Sequence, residues 1–197
     1  MDLQIASKKL LFTIVLLSLM YIVGLYWYRK ATDSDTVTLC SNGRHISAVF
    51  HFKIGGTVLI PSSNVKDTLD CLGRGMSFYD RTIEYVIQTS SSEGQMNALR
   101  SRYSVISEIR SAELEATHIE DLSQDSFKLG TSPKIVVYLK NISNPFQFIN
   151  NISQQHIRTI IVPELGEVML QMIAPSVKRN NQTIIELQEG EYITLEL

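Results

Sequence analysis

The sequence predicts an α+β, β-rich fold: one N-terminal transmembrane helix followed by a single antiparallel-sheet or small open-barrel domain with one to three helices. Three observations predict it. An uncharged run of 19 residues, Leu10–Tyr28, lies near the start of the chain. Beyond it, short apolar segments alternate with period two between Gly-, Pro- and Asn-containing turns. Helical spacing is confined to a few stretches, and no strand–helix–strand rhythm is visible.

The apolar run sets the expected organisation. A helix of that length rises about 1.5 Å per residue and nearly crosses a hydrocarbon core of about 30 Å. A signal peptide has a shorter apolar region and a small-x-small cleavage site. Here Arg29 stands two places before Ala31, which makes a poor cleavage site, and Cys40 follows Leu39 rather than the small residues a lipoprotein needs. Tyr26, Trp27 and Tyr28 occupy the place of an interfacial aromatic belt, with Arg29 and Lys30 beside them as further membrane-interface anchors. The expected order is a cytoplasmic head over 1–9, a signal anchor over 10–28, a linker over 31–36 and an extracytoplasmic domain over 37–197. Lys8 and Lys9 balance Arg29 and Lys30, so the positive-inside count does not orient the span. The short head and the two cysteines beyond the span place the large domain outside the cytoplasm. These features point to a single-pass protein of the bacterial inner membrane with a periplasmic domain.

Within the domain, "HISAVFHFKI" places Ile46, Ala48, Phe50, Phe52 and Ile54 on one face of a half-buried strand. Gly55-Gly56 then turns it into "TVLI", a hairpin signal. "CLGRGM" reads as a loop. "RTIEYVIQT" reads as a strand, with Ile83, Tyr85 and Ile87 on one face. Val105, Ile109, Ala112, Ala116 and Ile119 fit a helical stripe within 95–120, although Tyr103 and Val105 also suit the opening of a strand. "SPKIVVYLKN" and "HIRTIIV" read as strands, and Pro163 ends the second. "NPFQFINNISQQ" suits a loop or short helix, and "PELGEVMLQMIAP" a short helix with Leu165, Val168, Met169 and Met172 on one face. "TIIELQEGEYITLEL" reads as a closing hairpin turning at Gly190. No sequence repeat is visible.

The chemistry is sparse. The chain carries 18 Lys and Arg against 20 Asp and Glu, a net charge of −2, which offers no basic footprint for nucleic acid. Cys40 and Cys71 are 31 positions apart with no C-x-x-C, so a structural disulfide is expected rather than zinc. His45, His51, His118 and His156 are scattered, and neither a G-x-S-x-G elbow nor a phosphate loop occurs. Gly73-Arg74-Gly75 reads as a turn. The carboxylates of "ELEATHIED" read as a solvated face. Sequons stand at Asn141, Asn151 and Asn181. No catalytic residue, metal ligand or cofactor is expected. The alternating last strand offers Tyr192, Ile193, Thr194 and Leu195 as a docking edge, and the Ile-, Leu- and Val-rich domain leaves room for a small apolar ligand.

In layout the chain resembles the small membrane partners of ToxR-like regulators, the ToxS and FidL type, which combine a short head, one span and a compact outer domain. The resemblance implies a non-enzymatic accessory protein that stabilises or modulates a membrane partner; it rests on architecture, so no functional residue carries over. The alternatives are a structural subunit of a secretion, pilus or other envelope machine, and a membrane-anchored toxin-immunity protein.

Overall fold

The structure, a computed structural model, describes residues 14–24, 34–53, 56–88, 95–110, 119–120, 126–129, 134–153 and 157–197. The chain divides into two units, Met1–Ser34 and Asp35–Leu197.

In the first unit the described residues form helix α1 over 14–24, exposed along its length. No helix among the described residues is long and apolar enough to cross a membrane. This corrects the expected transmembrane helix over Leu10–Tyr28. Residues 10–13 and 25–28 of that run lie outside the described residues. The expected signal anchor and single-pass inner-membrane localisation rested on that helix and fall with it. The expected interface anchors Tyr26, Trp27, Tyr28, Arg29 and Lys30 lie outside the described residues.

The second unit holds two mixed sheets. Strands β1 (Thr36–Ser41), β2 (Ile46–Phe52) and β3 (Gly56–Ile60) form an antiparallel meander. Helix α2 (Val65–Gly75) leads to β4 (Thr82–Gln88), parallel to β3, and α3 (Met96–Arg100) leads to β5 (Ser104–Arg110), parallel to β4. The second sheet follows the same plan. Strands β6 (Ile119–Glu120), β7 (Ser126–Leu129) and β8 (Lys134–Tyr138) are antiparallel. Helix α4 (Pro145–Ser153) leads to β9 (Ile157–Pro163), and α5 (Glu167–Arg179) to β10 (Thr183–Leu187), each strand parallel to the one before. Both halves therefore read β-β-β-α-β-α-β, with the strands in sequence order across each sheet. The last strand, β11 (Tyr192–Glu196), leaves the second half and pairs with β1, giving six strands in the first sheet and five in the second.

This corrects the expected single antiparallel sheet or barrel with one to three helices: the fold is α+β with two mixed sheets and, among the described residues, five helices. Three local misreadings produced the error. "CLGRGM" belongs to α2, because Thr68, Cys71 and Leu72 bury one face at spacings of three and four and Asn64 caps the start by accepting from Lys66 N–H at 3.0 Å. The stripe expected in 95–120 splits into the five-residue α3 and β5, with 111–118 outside the described residues. The closing hairpin does not form: β10 pairs with β9 and β11 with β1, so the turn at Gly190 (φ +82°) carries the chain between sheets.

Side-chain alternation explains the layering. In β2, Ile46, Ala48, Phe50 and Phe52 enter a central core with Val37 and Leu39 of β1, Phe127 and Leu129 of β7, Val137 of β8 and Ile161 of β9. The two sheets thus pack face to face. Val49 and Leu59 point the other way, onto Cys71 and Leu72 of α2 and Leu99 of α3. On the second sheet Val136, Ile160 and Val162 meet Phe148 and Ile152 of α4 and Ile173 and Val177 of α5. Strand β2 is therefore buried on both faces rather than half-buried, because a helix covers the face that carries Ser47.

Candidate functional site

Geometry and exposed polar groups come together at the outer edge of β11 and at the rim where the two halves meet.

Strand β11 ends the order of the first sheet, and among the described residues its only strand neighbour is β1. Leu197 N–H donates to Asp35 O at 2.8 Å, and Ser41 N–H donates to Glu191 O at 3.0 Å. Hydrogen-bonded pairs alternate along an antiparallel ladder, so the main-chain groups of Ile193 and Leu195 also face β1. Those of Tyr192, Thr194 and Glu196 face away from it. Side chains alternate as well. Ile193, Leu195 and Leu197 are half-buried against the central core, whereas Tyr192 and Thr194 are exposed. The Thr194 hydroxyl lies 3.1 Å from that of Thr38 on β1, and the Arg74 guanidinium stands over the Tyr192 ring at 4.6 Å. The four residues expected as a docking edge thus lie on an edge strand.

The rim is built where α/β sheets place ligands, outside the carboxyl ends of parallel strands. Beyond the end of β3, Ser62 is buried and fixed: its N–H donates to Thr68 Oγ1 at 3.2 Å, its hydroxyl donates to Asn64 O at 3.1 Å, and Gln95 Nε2 donates to its carbonyl at 2.6 Å. Its neighbour Ser63 is exposed, and Ser63 Oγ lies 3.0 Å from His45 Nδ1. His45 sits in the β1–β2 turn, where Asn42 Oδ1 accepts from the N–H of His45 at 2.7 Å and of Arg44 at 3.0 Å. Asn42 is held in turn by donating to Asp67 Oδ2 at 2.7 Å. His45 also forms a β-bridge with Lys140, just past β8, flanked by Ile46 N–H to Leu139 O at 2.8 Å and Asn141 N–H to Arg44 O at 3.1 Å. The carboxyl ends of β3 and β8, one from each half, therefore share a rim. Burial holds the His45 imidazole below its usual pKa; Lys140 and Arg44 push the same way and Asp67 opposes them.

A cavity of about 260 Å³ adjoins Lys140, lined by Tyr138, Asn141, Ser143, Asn144, Gln147 and Phe148 among others. Asn144 Oδ1 already accepts from the N–H groups of Phe146 (3.0 Å) and Gln147 (3.2 Å) at the start of α4, so that helix end is satisfied internally.

Against this geometry, no protein-family model matches the chain, and no curated protein matches it. A similar solved structure is that of Igni18, described as a novel metallo hydrolase from the hyperthermophilic archaeon Ignicoccus hospitalis KIN4/I. It shares 8% identity over 82% of this chain and 99% of that one, at a TM-score of 0.43. A likeness at that level carries no argument about activity. Among the described residues of the present chain, no group of three or more His, Cys, Asp and Glu side chains is arranged to hold a metal ion.

The expected disulfide is formed: Cys40 and Cys71 are bonded with their Cα atoms 5.6 Å apart, tying α2 to β1. The sequence reading missed the rim altogether. His45 and Ser63 are 18 positions apart, and nothing in either segment marks them as neighbours. The signal that would have found them is the antiparallel β2–β3 hairpin, which returns the chain after β3 to the turn that precedes β2.

Proposed function

We propose that the chain is a partner-binding accessory domain, and that its partner adds an extended strand to the free edge of β11. The observation that supports this is the orientation of the β11 main chain: the N–H and C=O groups of Tyr192, Thr194 and Glu196 face away from β1. Such a row is a template for strand addition. The added strand suits an alternating sequence, with its apolar side chains continuing the core beside Ile193 and Leu195 and its polar ones beside Thr194.

Deleting β11 does not test this cleanly, because Ile193, Leu195 and Leu197 pack on the core. Thr194→Pro does. Proline is tolerated on an edge strand where the lost N–H faces outward, so the variant keeps the fold while blocking the added strand. A photo-crosslinking residue at position 196 in cells should trap a protein partner, and Thr194→Pro should abolish the adduct with circular dichroism and melting temperature retained. An adduct undiminished in the folded Thr194→Pro variant, or no adduct in the parent, overturns the reading.

A further inference from the structure

The geometry points to an acyl-transfer site at the joined rim, with Ser63 as nucleophile, His45 as its base and the adjoining cavity receiving an ester. It goes beyond the docking role of β11 and does not rest on it, and it puts the expectation of a non-enzymatic chain to direct test.

Four observations carry it. The first is contact: Ser63 Oγ and His45 Nδ1 are 3.0 Å apart, the reach required of a nucleophile and its base. The second is presentation. Ser62 is pinned by Thr68, Asn64 and Gln95, and this leaves Ser63, the next residue, exposed at the carboxyl end of β3. The third is the hold on the base. The His45 main chain is anchored by Asn42 on one side and paired with Lys140 on the other, so the imidazole is carried by two elements rather than by a free loop. The fourth is space: Lys140, bridged to His45 through the main chain, also lines the 260 Å³ cavity, so the cavity begins at the residue paired with the base. The lowered His45 pKa adds that the imidazole is neutral and able to accept a proton near pH 7.

The chemistry closes on itself. Ser63 Oγ forms a bond to the ester carbonyl carbon, and its proton passes to His45 Nδ1. The carbon–oxygen bond to the alcohol breaks, and the alcohol leaves with the proton from His45. Water, giving its proton to His45, then attacks the acyl-Ser63 ester. The acid departs and the Ser63 hydroxyl is restored.

The test is active-site labelling of the full chain. A fluorophosphonate probe should form a phosphorus–oxygen bond to Ser63 with loss of fluoride, located by mass spectrometry of the digested protein. Ser63→Ala should abolish the label, and His45→Gln should slow it by roughly a hundredfold, the scale of a positioned base. The charged groups that face His45 are Lys140, Arg44 and Asp67, and with them in place the labelling rate should rise with pH and level off at a midpoint below 6.5. p-Nitrophenyl acetate should show a burst of nitrophenol that depends on Ser63. No label on folded protein, a label on another residue, or a midpoint above 6.5 overturns the proposal. Because the site is read on the parent protein, the result stands whether or not either variant folds.

Discussion

Cys71 of α2 is bonded to Cys40 of β1 beneath the outer face of the first sheet, where the Cys71 residue is wholly buried. The bond fastens the first helix of the first half to the strand that also receives β11. Its loop spans 31 positions, for which the chain-entropy account gives about 3–4 kcal/mol. A Cys40→Ala/Cys71→Ala variant should unfold at lower urea than the parent by a corresponding amount, and thiol labelling of the folded parent should find neither cysteine reactive.

Two glycines in the last turn of α2 should respond in opposite directions to alanine. Gly73 has open space where a Cβ would stand, whereas a Cβ on Gly75 would lie 2.9 Å from Val49 Cβ and 3.1 Å from Thr38 Cβ. Gly73→Ala should stabilise by up to about 1 kcal/mol through helix propensity. Gly75→Ala should destabilise by about 1–3 kcal/mol, because the helix end must lift off the sheet. Chemical denaturation of both variants checks the pair, and equal shifts of the same sign would refute the close approach.

Tyr138, packed on Phe148 with ring centroids 5.0 Å apart, has its phenol pushed up to about 12 by burial. A raised folded pKa contributes stability that is complete below the ordinary value of about 10 and is lost as pH rises through the folded value. Melting temperature should therefore fall between pH 10 and 12, and Tyr138→Phe should flatten that decline.

His45 works at the other end of the scale. Its folded pKa is lowered, first by burial and then by Lys140 and Arg44, so the folded state binds fewer protons than the unfolded one just below pH 6.5. The neutral imidazole is accommodated above 6.5, and stability is lost as pH falls from there through the folded pKa. The acid limb of the melting profile should begin below pH 6.5 and be shallower in His45→Gln. An unchanged limb would remove the burial assigned to this residue.

Much of the strand content is legible in the chain because β-branched and aromatic residues sit between turn residues. Gly56, at φ +81°, sets the β2–β3 hairpin as its sequence suggests. Pro163 ends β9, and the segment "SPKIVVYLKN" yields β8. The crossovers are not legible, for reasons that lie in individual residues. Gly73 and Gly75 disguise the end of α2, although only Gly75 is there for close packing. Helix α3 has five residues, too few to show a period. Nor can adjacency in sequence reveal that β10 and β11 belong to different sheets, since the turn at Gly190 is equally consistent with a hairpin. The alternation of the last strand was readable because it is a local property. The rim was not, because it is made by bringing Ser62 and Ser63, His45, Gln95 and Lys140 together from four separate segments.

The return of β11 to β1 also sets the order in which the chain can complete itself during synthesis. Thr38 meets Thr194 across 156 positions, an interval of roughly 8–30 s at a ribosome's pace of about 5–20 residues per second. Throughout that interval β1 can pair with β2 but waits without its second neighbour, and any strand-like nascent segment nearby competes for the vacancy. The first half therefore emerges as an unfinished sheet that β11 closes, and a chaperone that shields the β1 edge would raise the yield of folded protein without altering its final stability.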